Sequence, residues 1–150
     1  MDGHRAAYDV PSRPEFPLHE IEPIRTVAGS ATTVLVVEDD RAIRYLFTAV
    51  LRGKGYSVIA CEDGDSGLAT ARARIDEIHA VVTDTRMPGI DGRELIAQIR
   101  AMRPAMPILV VSGNIDDSAA SNSTDPAIAY LCKPLSPERL TIELRRLLNP

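Results

Sequence analysis

Val81-Val82-Thr83-Asp84-Thr85-Arg86-Met87-Pro88-Gly89-Ile90-Asp91-Gly92 is the stretch from which the rest of the chain is best read. An apolar, β-branched run with the composition of a buried strand stops abruptly on a carboxylate. Pro88-Gly89 turns the chain, and Asp91 stands where a helix N-cap belongs. In an open α/β sheet, ligands bind outside the carboxyl ends of the strands. An acid there is a candidate nucleophile or metal ligand. Strands also end in Asp for reasons of turn chemistry alone, so Asp84 needs partners from elsewhere in the chain.

Upstream, Thr33 to Val37 is another solid apolar run, and it ends in Glu38-Asp39-Asp40. Ile43, Leu46, Phe47, Val50 and Leu51 then recur with the period of a helix that Gly53 and Gly55 stop. Tyr56 to Cys61 reads as a strand, and Gly64 to Ala73 as an Ala-rich helix with Leu68 and Ala71 inward. Ala80 to Thr83 leads into Asp84. Downstream, Leu95, Ile96, Ile99 and Met102 mark a helix that ends before Pro104. Ile108 to Val111 is a strand ending at Ser112-Gly113, and Ala127 to Cys132 is a strand ending at Lys133-Pro134. A last helix opens with Ser136 as N-cap and Pro137 in its first turn, with Leu140, Leu144, Leu147 and Leu148 inward. Strands alternating with helices, each strand uniformly apolar, predict a parallel sheet covered on both faces.

The connection from Gly113 to Ala129 differs. Its only large apolar residues, Ile115 and Ile128, are too far apart to form a stripe, and Pro126 disfavours helix at Asp125. A fourth helix there is expected to be short, mobile or partly unwound, at most about two turns near Asp116 to Ser123.

The chain has 150 residues, a formal charge of -4 and 45% hydrophobic residues, values of an ordinary globular protein. Mild acidity argues against a nucleic-acid surface, which needs a basic face. No segment is apolar enough to span a membrane, and no signal-peptide core precedes Ser30. Residues 1–30, punctuated by Pro11, Pro14, Pro17 and Pro23, read as a flexible tail, which leaves 31–150 as one domain. Cys61 and Cys132 lack metal-site spacing and are expected to be buried free thiols in a reducing cytoplasm. His4, His19 and His79 show no triad or ligand spacing and are read as surface residues.

Parallel strands bring Glu38, Asp39, Asp84, Ser112 and Lys133 to one edge of the sheet. Crowded carboxylates repel one another and call for a cation. Mg2+ suits them, since it takes carboxylate oxygens and keeps positions open for phosphate. Lys133 supplies a point charge for Asp84 or for a phosphate oxygen, and Ser112 a hydroxyl donor. Acid nucleophile, metal, lysine and hydroxyl together make a phosphoryl-transfer site that would leave an acyl phosphate on Asp84.

Four stretches, Val34 to Asp40, Val82 to Gly92, Val110 to Gly113 and Tyr130 to Pro134, resemble in order and spacing the signatures of the response-regulator receiver domain of two-component signalling. The resemblance covers about Thr32 to Leu148. It implies a flavodoxin-like sheet in the order 2-1-3-4-5. It implies that Asp84 accepts phosphate from a histidine kinase or histidine phosphotransfer protein and that a partner-binding surface then switches. Asp39, Asp84 and the Arg86 main-chain carbonyl would hold Mg2+, with Glu38 acting through water. Ser112 and Tyr130 match the switch pair and Lys133 the phosphate lysine. A monomer or weak homodimer catalysing its own phosphorylation and dephosphorylation is the expected working form, with an unknown downstream protein as target and neither nucleic acid nor membrane as partner. The Arg86 side chain lies within reach of attacking water. The rivals are a receiver-like interaction module not controlled by phosphorylation, a receiver cut from a hybrid kinase, and an aspartate-nucleophile phosphatase. The last usually needs a second acid where Arg86 stands.

Overall fold

The computed structural model describes residues 31–114 and 124–150. The elements run β1 (Thr33–Val37), α1 (Arg41–Gly53), β2 (Ser57–Cys61), α2 (Gly64–Arg74), β3 (Ala80–Asp84), α3 (Gly92–Met102), β4 (Ile108–Ser112), β5 (Ile128–Cys132) and α4 (Pro137–Leu148). The five strands form one parallel sheet in the order β2-β1-β3-β4-β5, the flavodoxin-like doubly wound arrangement expected. The helix anticipated near Asp116 to Ser123, and the tail 1–30, lie outside the described residues.

Alternation along the strands sorts the core into two clusters. Val34, Val36, Ala80, Val82, Leu109 and Val111 pack with Phe47 and Leu51 of α1 and Leu140, Leu144 and Leu147 of α4. Leu35, Val37, Val81, Ile108 and Val110 face the other way, onto Leu68 and Ala71 of α2 and Leu95 and Ile99 of α3. Both faces of the sheet are therefore covered, which is why the strands are apolar along most of their length and their polar residues, Thr33, Ser57, Thr83, Asp84 and Ser112, fall at or beside strand ends.

Each described helix begins on a side-chain cap. Asp40 Oδ1 accepts from Ile43 N at 3.0 Å, Asp63 Oδ1 from Ser66 N at 2.7 Å, Asp91 Oδ1 from Glu94 N at 2.9 Å, and Ser136 Oγ from Arg139 N at 3.3 Å. Each satisfies a donor that the helix itself leaves unpaired.

Four side chains depart from the sequence reading. Leu46 and Met102 are exposed rather than inward. At 3.6 residues per turn Leu46 lies about 60° from Ile43, on the rim of a stripe that Phe47, Val50 and Leu51 centre on the other side. Cys132 is exposed because it is the last residue of the edge strand β5, whereas Cys61 is buried as expected. His79 is a part-buried tie between strands: its Nδ1 accepts from Thr33 N at 2.9 Å, and its own N–H donates to Thr33 O at 2.9 Å.

Candidate functional site

The register places the carboxyl ends of β1, β3, β4 and β5 side by side. Val37 pairs with Thr83, Asp84 with Val111, and Ser112 with Cys132. The first residues beyond β1 and β5 are Glu38 and Lys133, so both converge on Asp84. Lys133 Nζ donates to Asp84 Oδ2 at 2.6 Å and to Glu38 Oε2 at 3.0 Å. Asp84 Oδ1 accepts from Arg86 N at 3.2 Å, and Glu38 Oε1 from Asp40 N at 3.2 Å. Arg44, which the sequence reading passed over, donates through Nη1 to the carbonyls of Glu38 at 2.8 Å and Asp39 at 3.4 Å, tying the acidic loop to α1. An Arg on the first turn and a half after an acidic strand end was the available signal.

Burial decides the electrostatics. The Glu38 side chain is 1% exposed, and this desolvation pushes its pKa above the ordinary 4.5 despite the Lys133 ammonium beside it. Burial works to lower the Lys133 pKa, but the hydrogen bonds and charges of Asp84 and Glu38 outweigh it, and the pKa lies above the ordinary 10.5. The lysine therefore stays charged at neutral pH, while a charged Glu38 is held at a cost.

Carboxylate oxygens of Glu38, Asp39 and Asp84 lie within 4.8 Å of one another. All three are hard oxygen donors, and the two buried acids share a single lysine cation, so the set fits a divalent ion such as Mg2+. A cavity of about 370 Å³ lined by Asp84, Thr85, Arg86, Gly113, Asn114 and Lys133 opens beside the cluster.

Ser112 is buried at the end of β4, and continuing the β3–β4 register by one residue sets Thr85 beside it. Thr85 Oγ1 donates to Ser112 Oγ at 3.0 Å, Asn114 N donates to the same oxygen at 3.1 Å, and Ser112 Oγ donates to Asn114 O at 3.4 Å. Tyr130 pairs with Val110, two residues upstream of Ser112 along the strand, and is half-buried. It lines a separate groove of about 350 Å³ with Cys132, Pro134 and Arg139. The sheet thus brings together Glu38, Asp39, Asp84 and Lys133, and seats Ser112 one strand over. Tyr130 stands apart from the carboxylates.

Residues 34–145 match the family model of the response regulator receiver domain. The chain is similar to the sensor kinase CckA of Brucella abortus, 32% identical over 87% of this chain and 14% of the kinase. It is similar also to the probable transcriptional regulatory protein TcrX of Mycobacterium tuberculosis, 30% identical over 84% of this chain and 53% of that protein. The chain therefore spans about half the length of one of these relatives and a seventh of the other. Among solved structures, a response regulator receiver protein from Sinorhizobium medicae superposes with a TM-score of 0.73 at 30% identity, covering 80% of this chain and 96% of that one. With the parallel sheet, the acidic cluster and the lysine at its edge, these matches establish that the chain belongs to the receiver domains of two-component response regulators.

Proposed function

We propose that Asp84 accepts a phosphoryl group from the phosphohistidine of a histidine kinase or histidine phosphotransfer protein, and that the acyl phosphate alters a surface read by a downstream protein. In this reading an Asp84 carboxylate oxygen attacks phosphorus, forming a P–O bond as the P–N bond breaks. The imidazole leaves with the electron pair and takes up a proton. The carrying observation is the Lys133 ammonium 2.6 Å from Asp84 Oδ2 within a cluster of three carboxylates. That cation is positioned to neutralise charge as it gathers on the transferring group.

Asp39, Asp84, the Arg86 main-chain carbonyl and, through water, Glu38 would hold Mg2+. When bound, the ion supplies further charge neutralisation for phosphoryl oxygens. Ser112 donates a hydrogen bond to the phosphoryl group once it is present, and Tyr130 carries the rearrangement outward. The receiver unit is taken as residues 31–150, working as a monomer or weak homodimer. Neither nucleic acid nor membrane is a partner in this reading. Among the described residues no helix is long and apolar enough to cross a membrane.

The test is incubation with Mg2+ and acetyl phosphate, read by intact mass. One phosphate is expected on the wild type and none on Asp84→Ala. Equal labelling of the two proteins refutes the assignment. A phosphotransfer profile against histidine kinases and phosphotransfer proteins then identifies the donor.

A further inference from the structure

The outward face of α1 is both apolar and basic. Tyr45 is 75% exposed and Leu46 45% exposed, and exposed Ala42 and Ala49 flank them on the turns before and after. Single exposed apolar residues are ordinary, whereas a run of them along one helix face is a surface that gains by being covered. The helix holds Arg41, Arg44 and Arg52 and no acid, with Lys54 just beyond it, in a chain whose net charge is -4. Arg44 and Arg52 donate to backbone carbonyls, and among the described residues no carboxylate forms an ion pair with any of these four cations.

A segment of opposite character lies in the same chain. Glu15-Phe16-Pro17-Leu18-His19-Glu20-Ile21-Glu22-Pro23-Ile24 combines three glutamates with four large apolar residues and has no Lys or Arg. Pro17 and Pro23 restrict its backbone, which reduces the entropy lost on ordering. The chain joins the domain beside the far end of α1: Thr32 O accepts from Ser57 N at 2.9 Å, and Tyr56 N donates to Leu51 O at 3.1 Å. Residues 25–31 reach up to about 23 Å at roughly 3.3 Å each. The 13 residues of α1 span about 20 Å, so the segment can lie anywhere along the helix. A short tether makes such a contact intramolecular, and a weak contact then suffices. A second copy of α1 would set arginine against arginine and fits the face poorly.

We propose that residues 15–24 dock on the outward face of α1, their glutamates toward Arg41 and Arg52 and their apolar side chains over Tyr45 and Leu46. The docked segment shields that face from other macromolecules. The inference does not depend on the phosphoacceptor reading of Asp84.

The test places a nitroxide at position 19, as His19→Cys in a full-length Cys132→Ser background, where buried Cys61 stays unlabelled. Loss of amide NMR signal is expected at Ala42, Tyr45 and Ala49 and not at Gln98 of α3. Glu15→Lys, Glu20→Lys and Glu22→Lys together should restore the α1 signals. Adding Arg41→Glu and Arg52→Glu to that variant should bring the loss back, which a merely misfolded protein would not show. Intact α1 signals, a loss spread evenly to Gln98, a loss that survives the glutamate reversal, or one that the arginine exchange fails to bring back overturns the proposal. Mixing spin-labelled protein with unlabelled, 15N-enriched protein should leave α1 unaffected. Selective loss in that mixture assigns the face to the segment of a second copy and refutes docking within one chain.

Discussion

Glu38 is the residue whose chemistry runs against its surroundings. A carboxyl buried at the sheet edge, with its pKa raised chiefly by desolvation, stabilises the fold while protonated and loses that contribution as pH rises through its folded-state value. Its folded value lies above the ordinary 4.5, so the loss falls on the neutral side of that pH. Glu38→Gln keeps the shape without the charge, and Lys133 retains Asp84 as partner. In chelator at pH 7.5 the variant is expected to melt about 2–4 °C higher than the wild type, the shift that 1 kcal/mol gives in chains of this size. The two proteins should converge below about pH 4, and Mg2+ affinity should fall in the variant. A lower melting temperature in Glu38→Gln at pH 7.5 would contradict this account. The sequence announced the acids and the lysine, because ending an apolar run on charge is a local pattern. It concealed the Lys133 bond to Glu38 and the Thr85 bond to Ser112, which join residues 95 and 27 positions apart and exist only through strand register.

Among the described elements, α3 begins directly against the site. Gly92, its first residue, donates its N–H to Thr85 O at 3.0 Å. A Cβ at Gly92 would collide with the Asp84 carbonyl oxygen and come within 2.8 Å of Thr85 Cα. Both obstacles are backbone and cannot step aside. In an open helix Gly→Ala gains up to about 1 kcal/mol, whereas forced overpacking costs about 1–3 kcal/mol, so the clash wins here. Gly92→Ala is expected to lower stability by about that amount in urea denaturation and to slow labelling by acetyl phosphate, since the strain falls on Asp84 itself. A more stable or unaltered Gly92→Ala protein would show that the loop yields. The neighbouring Gly89 has φ 75, the left-handed conformation that a Pro-Gly turn favours. Element types and most boundaries were legible because helix and strand periods are local. The caps Asp40 and Asp63 were legible in principle, each lying three residues before the N–H it receives. The outward turn of Leu46 and Met102 was not, because which rim of a stripe is covered depends on the neighbouring element.

Across the whole molecule, strand order sets what can meet. Cys61 closes β2 and Cys132 closes β5, the two edges of the sheet, about four strand spacings or roughly 19 Å apart. A disulfide needs Cα atoms within about 7 Å, so both thiols stay free. Native protein should therefore react with a thiol reagent once, at exposed Cys132, and a second time only after denaturation frees Cys61. Two fast equivalents, or none, would be inconsistent with this sheet. Cys132 is also the residue immediately before Lys133, on the strand whose end holds the ammonium against Asp84. The molecule thus carries its own spectroscopic handle: a fluorophore or spin label on that sulfur rides beside the lysine, with no engineered cysteine and no competing site in the folded core.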